Sequence, residues 1–443
     1  MHSLVIRSPL PLGYFDGGDY AKDCKTLRDP SHELPESLRF CEDTTFWEMR
    51  DSDSEVVQRV VIAACDPNRL EWNTVMGPLN DPNPRGSLWL YVPPSASSGG
   101  SKPLVHSHHP SGKAQRMALV GYPEGHDFHP LGTSIWPSVG GAKSNMYVVN
   151  HARARTVIEQ FVVDPAKPLE AVYVRTISSW RFLSPNALAL TSPDSFYVTN
   201  DHLFTRRLPV VGKVLPLVET ILGLPFGFVL HVDLHPHDSP EAKEKGKDIS
   251  HAFVAKYFIP FANGVALSHS GKEVAIVATS AGKVYVYARN PETDVLYKER
   301  TVVRLPFSPD NIHYTSSLAD PSKEELIVGG HPNFIDLIGV VARKPGAAAG
   351  SWIVAVQFKD AENRGRKAQQ TEFDLEAPAS TSTKLKKDGK TWTLRTIFQS
   401  NGDEEHGGFG SSATGIRDPA TGDVYVAGLY AGDGVVACRR KAV

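Results

Sequence analysis

A chain of 443 residues with a formal net charge of -2 and 22% charged residues carries no electrostatic footprint for nucleic acid. Hydrophobic content of 41% is ordinary for a globular protein, and no apolar run approaches the ~18 residues of a spanning helix. The opening MHSLVIRSPLPLGYFDGG is interrupted by Arg7 and Pro9, so it reads as neither a signal peptide nor a membrane span, and a cytoplasmic location is the default expectation.

Residues 1–40 are rich in Pro, Gly and charge and read as an extension wrapped on the surface of a single domain, 41–443. From about residue 58 the chain becomes short β segments parted by turns. VVQRVVIAAC (56–65) and GSLWLYVPP (86–94) come first, then the low-complexity run 95–113, a loop by composition. His106, His108 and His109 in that run could bind a metal only adventitiously. NMYVVNHA (145–152), LEAVYVRTI (169–177) and SFYVTNDHLF (195–204) follow as strands. LPVVGKVLPLVETILGLPFGFVLHVD (208–233) differs. Its first part has helical spacing and is expected to pack over one end of the domain, and it could also lean on a membrane or an apolar substrate.

Residues 265–290 alternate and turn like an antiparallel sheet. ELIVGGH (325–331), SWIVAVQF (351–358), a polar insertion near 360–390, TWTLRTIFQ (391–399) and GDVYVAGLYAGDGVVAC (422–438) complete the chain. GDEEHGGFGSS (402–412) reads as a turn, not a nucleotide loop. DPATGDVYVAG (418–428), DPNRLEW (66–72) and DPSKEELIVGG (320–330) are loosely alike, which favours radial repeats and hence a β-propeller. Four cysteines, Cys24, Cys41, Cys65 and Cys438, form no CxxC or Cys/His pattern. A toroid brings its ends together, so Cys24 or Cys41 could bond Cys438; four free thiols in a reducing compartment is the alternative.

Asn186 in LSPNALAL, Asn263 in PFANGVALS, and Asp310 with Asn311 in SPDNIHYTS each precede an alternating apolar strand, and Glu42 and Asp43 follow Cys41. In a propeller such strand starts line the central axis, so these groups can converge although distant in sequence. Glu42, Asn186, Asn263, Asp310 and Asn311 together offer two carboxylates and three amide carbonyls. An all-oxygen set of this kind suits Ca²⁺ rather than zinc or copper.

The sequence resembles the serum paraoxonase/arylesterase family and looks like one of its fungal-type relatives. SPDSFYVTNDHLF (192–204) carries most of the resemblance. FHPLGTSIW (128–136), MYVVNH (146–151), FANGVALS (261–268), PDNIHY (309–314) and VGGHPN (328–333) extend it in order. The resemblance implies an all-β, six-bladed β-propeller with a helix over one end and calcium in its tunnel. It carries the ligands of one catalytic calcium onto Glu42, Asn186, Asn263, Asp310 and Asn311. A second calcium would use Asp43, the Thr133 backbone carbonyl and position 187, but Ala187 has no side-chain oxygen there; Asp201 could substitute. Of the family's histidine dyad, one member falls on His151 and the other on Leu131. His129, two residues earlier and on the same face of a strand, is the substitute base. His202 and His331 would line or support the cavity, and the family disulfide would join Cys24 to Cys438, with Cys41 as the alternative partner. The implied activity is calcium-dependent hydrolysis of a small carboxylic ester or lactone, with no G-x-S-x-G serine elbow in the chain. Competing readings are a calcium propeller with isomerising or cyclising chemistry and a non-enzymatic ligand-binding propeller.

Overall fold

The computed structural model describes residues 10–28, 38–83, 86–94, 105, 113–244, 246–358 and 392–441. The 360–390 insertion and all of the 95–113 run except residues 105 and 113 lie outside the described residues.

Six sheets, antiparallel except for one parallel edge pair in each of blades 1 and 2, stand around one axis as the blades of a propeller. The innermost strands are Cys41–Arg50, Pro130–Ile135, Pro185–Ser192, Ala262–Leu267, Ser308–Ser316 and Ser412–Arg417, which open blades 1 to 6 in chain order. Each inner strand touches the next, and the sixth touches the first, so the ring is closed. Blade 5 takes its outer strand, Tyr14–Phe15, from the N-terminal segment. Blade 6 is shared between the chain ends: Cys24–Thr26 pairs antiparallel with Val435–Cys438. The segment expected only to wrap the surface thus also supplies two strands. A Cys24–Cys438 disulfide locks that closure, and Cys41 bonds Cys65 on the neighbouring strand of blade 1. The alternatives of free thiols and of a Cys41–Cys438 bond are therefore corrected. Cys41 and Cys65 are register partners, which brings their sulfurs together locally.

Period-two alternation explains the packing. In Ser195–Asn200 of blade 3, Phe196 and Val198 enter the core shared with blade 2, while Tyr197 enters the core shared with blade 4. Both faces of a middle strand are buried, so such strands read as nearly continuous apolar runs. Glycines on inner strands allow the blades to meet at the axis. A Cβ at Gly132 would lie 2.2 Å from the Asn186 carbonyl oxygen, and one at Gly264 would lie 2.8 Å from the Asp310 carbonyl oxygen.

The expected helix is Leu215–Leu222, begun by Pro216 and ended by Gly223 in the left-handed conformation. It packs over one face, but not by its apolar side. Glu219 and Thr220 are buried, whereas Val214, Leu217, Ile221 and Leu222 are exposed. The reason is polar. Glu219 accepts the N–H groups of Leu203 and Phe204, and the Thr220 hydroxyl meets His202 Nε2 at 2.7 Å. A second helix, Phe334–Val341, is capped by Asn333, whose Oδ1 accepts the N–H groups of Ile335 and Asp336. It too stands over this end of the tunnel. Among the described residues no helix is long and apolar enough to cross a membrane.

Candidate metal centre and cavity

A cavity of about 260 Å³ opens at the helix-covered end of the tunnel. Trp72, Leu131, Leu217, Phe334 and Leu337 supply apolar wall, and Glu42, Asn186, Asn263 and Asp310 lie at its polar end. Each of these four sits at the beginning of an inner strand, on blades 1, 3, 4 and 5. The propeller's radial arrangement gathers residues separated by more than two hundred positions.

The hydrogen bonds define how these groups point. Asn263 Nδ2 donates to Asp310 Oδ1 at 2.5 Å, and Asp310 Oδ2 meets His331 Nε2 at 2.9 Å. Asn186 Nδ2 donates to Asp201 Oδ2 at 3.2 Å. Asn311 Nδ2 donates to Glu42 Oε1 at 2.8 Å and to the Thr414 hydroxyl at 2.9 Å, joining the fifth expected ligand to the group. With both cavity-lining amides donating through nitrogen, their oxygens are left over. Glu42 Oε2, Asn186 Oδ1 and Asn263 Oδ1 are buried and have no hydrogen-bond partner. Buried acceptors without donors are costly. Burial, followed by the negative charges of Asp43 and Asp310, pushes the Glu42 carboxyl well above the ordinary carboxylate range. Unsatisfied oxygens and mutually repelling carboxylates are both relieved by a hard cation, so these residues fit calcium.

Asp43 does not share that property. Its Oδ2 accepts the Thr133 N–H at 2.7 Å, and its Oδ1 accepts the Thr44 N–H at 2.8 Å and the Thr414 O–H at 3.1 Å. Thr133 thus presents an N–H, not a carbonyl, to Asp43, and Ala187 adds no oxygen. The Asp43 carboxylate is held by donors from Thr44, Thr133 and Thr414. Asp201 is instead tied to Asn186 and stands 3.1 Å from His202 Nδ1, within the cavity wall.

The histidines divide by surroundings. His129 Nδ1 faces Asp66 Oδ2 at 2.8 Å and its Nε2 faces the Pro82 carbonyl oxygen at 3.1 Å, with Trp72 against the ring. Both nitrogens meet acceptors. His151 Nε2 donates to the Pro185 carbonyl oxygen at 3.0 Å, while Nδ1 meets the Thr74 hydroxyl at 2.8 Å. Leu131 lines the same cavity, between the blade cores and the tunnel. Asp66 and Trp72 belong to DPNRLEW, read from sequence only as a loose repeat of DPATGDVYVAG. One signal could have found Asp66. It follows the strand that pairs antiparallel with the Glu42 strand, so the residue after Cys65 emerges beside the residue before Cys41, and the Asp66 N–H donates to the Phe40 carbonyl oxygen at the same end of blade 1 as Glu42.

Burial pushes His151 down to about 4 from its ordinary 6.5. Unfolding at a pH between these values takes up a proton at this ring, so native stability falls as pH drops from about 6.5 to 4. The lost contribution is about 3 kcal/mol. Urea titrations at pH 7 and pH 4.5 should show a fall that His151→Gln reduces; an equal fall in both proteins would count against it.

Among the described residues one further group, His231, Asp233 and Asp294 of blades 3 and 4, can hold a metal ion. It lies outside the tunnel cavity.

A profile of the family named Arylesterase matches residues 96–369, more than half of the chain. Human serum paraoxonase/lactonase 3 is 27% identical over 248 residues, 55% of this chain and 60% of that protein. Mouse serum paraoxonase/arylesterase 1 is 28% identical over 230 residues, 52% of this chain and 56% of that protein. The matches thus span about three fifths of these relatives' lengths. A gluconolactonase from Xanthomonas campestris has a TM-score of 0.40 at 11% identity, covering 98% of this chain and 99% of its own, a likeness too remote to bear on chemistry. On the ordered match of its central 274 residues, this chain belongs to the arylesterase family.

Proposed function

We propose that the protein is a calcium-dependent hydrolase of a small carboxylic ester or lactone. The observation that carries this reading is the convergence of three partnerless buried oxygens, from Glu42, Asn186 and Asn263, on one apolar-walled cavity in an arylesterase-family chain. Glu42, Asn186, Asn263, Asp310 and Asn311 would hold the calcium. When bound, the ion supplies electrostatic stabilisation to an oxyanion.

The chain's own residues do the rest. Trp72, Leu131, Leu217, Phe334 and Leu337 exclude water and seat the apolar part of the substrate. The exposed apolar side of Leu215–Leu222 extends that surface outward from Leu217. His331 keeps Asp310 turned towards Asn263, and Asp201 keeps the Asn186 amide oxygen directed away from itself. We assign proton transfer to His129. Asp66 holds a proton on Nδ1 and orients the ring, and substrate displaces Nε2 from the Pro82 carbonyl. His151, neutral and without a carboxylate partner, shapes the wall. Two disulfides suit an oxidising compartment better than the cytoplasm.

Calcium-loaded protein should hydrolyse phenyl acetate or a γ- or δ-lactone, and chelation should abolish the activity. Unchanged turnover after chelation rejects the reading. The occupied ring nitrogens of His129 and His151 favour one rival: a calcium propeller that binds or rearranges its ligand without hydrolysis. Stoichiometric calcium with no turnover on an ester and lactone panel would establish that rival.

A further inference from the structure

His231 and Asp233 alternate on the blade 3 strand Gly227–Leu234, so their side chains share one face. His251 is the register partner of Asp233 on the next strand and stands on that same face. Asp294, in the turn between two strands of blade 4, reaches across to them.

The His231 ring is fully buried and its two nitrogens differ. Nε2 lies 3.1 Å from the Thr191 hydroxyl and 3.3 Å from Asp294 Oδ1, which hold a proton there. Nδ1 is then a bare lone pair, and it has no hydrogen-bond partner. It points at Asp233 Oδ2, 3.7 Å away, and His251 Nδ1 lies 3.5 Å from that same oxygen. A lone pair facing a carboxylate oxygen is repulsive unless something positive lies between. Two ligand atoms on a tetrahedral zinc, each about 2.0–2.1 Å from the ion, are separated by about 3.3 Å. The observed separations need only small side-chain adjustments to meet that.

Charge supports the same assignment. Asp294 is paired with Arg289, whose Nε donates to Oδ1 at 2.8 Å. That carboxylate is suited to orienting His231, not to binding metal directly. Asp233 Oδ1 accepts the Ser195 hydroxyl at 2.7 Å, which leaves Oδ2 for a ligand. The facing groups Asp233, Asp294 and Arg289 sum to one negative charge. His251, with its side chain 65% exposed, can turn onto an ion and leave a position for water. Imidazole with a single carboxylate oxygen selects zinc-class ions over calcium.

We infer that this face of blade 3 is a second metal site, for a zinc-class divalent ion, built from His231 Nδ1, Asp233 Oδ2 and His251, with Asp294 setting the His231 ring. It is independent of the calcium reading of the tunnel. The test is zinc titration and cobalt absorption spectroscopy on tag-free, calcium-loaded full-length protein. His106, His108 and His109 are changed to alanine in the reference protein so that this run cannot contribute. One zinc per chain should bind. Asp233→Asn and His231→Gln should each weaken binding at least about 30-fold, and the exposed His251→Asn about tenfold. Asn263→Ala, which strips the tunnel, should leave zinc affinity unchanged. Zinc should raise the melting temperature of the reference protein but not of Asp233→Asn. Absence of stoichiometric binding, affinity indifferent to both Asp233→Asn and His251→Asn, or zinc lost with Asn263→Ala would each overturn the proposal. Asp233 is partly exposed and His251 largely so, so folding failure of the buried His231 variant leaves the test intact.

Discussion

Asp310→Ala should lower ester or lactone hydrolysis by at least about 100-fold, the scale of removing one group that stabilises a developing oxyanion. Asp310 has two dependants. Its Oδ1 fixes the Asn263 amide, and its Oδ2 meets His331 Nε2. Alanine therefore removes one of the two carboxylates of the proposed calcium shell and also lets the Asn263 oxygen turn away. Stability provides a second readout. In calcium-free protein Asp310 is one of the charges that raise Glu42, so its removal relieves repulsion while leaving His331 without its acceptor; these effects oppose each other. The rise in melting temperature on adding calcium should instead vanish altogether. Initial rates on phenyl acetate and thermal melts with and without calcium measure both. A variant with near-native rate and an undiminished calcium response would remove Asp310 from the site.

Cys24→Ser should destabilise the protein by about 5 kcal/mol, read by urea or guanidinium unfolding without reductant. The Cys24–Cys438 bond spans 414 residues, so it restricts the unfolded chain more than the Cys41–Cys65 bond, which spans 24. In the chain-entropy account Cys41→Ser then costs less, about 3 kcal/mol. Structure adds a second reason. Blade 6 has three strands from the C-terminal end and one from the N-terminal end, held by the Cys24–Thr26 pairing, flanking backbone hydrogen bonds and this bond. Loss of the bond removes the covalent tie on the strand that closes the ring. Equal losses for the two variants would contradict this account.

Comparison of particular residues separates what was legible. Asn186, Asn263, Asp310 and Asn311 were readable because each interrupts the polarity pattern at the start of an apolar strand. Glu42 was marked by its place after Cys41. The helix over the tunnel was readable from spacing, but its orientation was not, since Glu219 and Thr220 are held down by partners around residues 202–204. Phe334–Val341 went unread because a short, mostly apolar run after a Gly-Gly strand does not distinguish helix from strand. Asp66 and Thr414 were also unread, as their roles come from cross-blade contacts.

Alternation and turn residues by themselves favoured a propeller, because they follow from the local period of the backbone; the oxygen-bearing strand starts were only scattered candidates until the family resemblance joined five of them into one proposed ligand set. The tertiary structure alone decided which oxygens lack partners. It satisfied Asp43 with Thr44, Thr133 and Thr414, placed Asp66 against His129, and paired Cys41 with Cys65. The Thr133 and Thr414 donors and the His129 contact come from other blades, and no sequence period records which blade will face which; the Thr44 donor and the Cys41–Cys65 bond are local to blade 1. The same dependence set Asp294 of blade 4 beside His231 and Asp233 of blade 3.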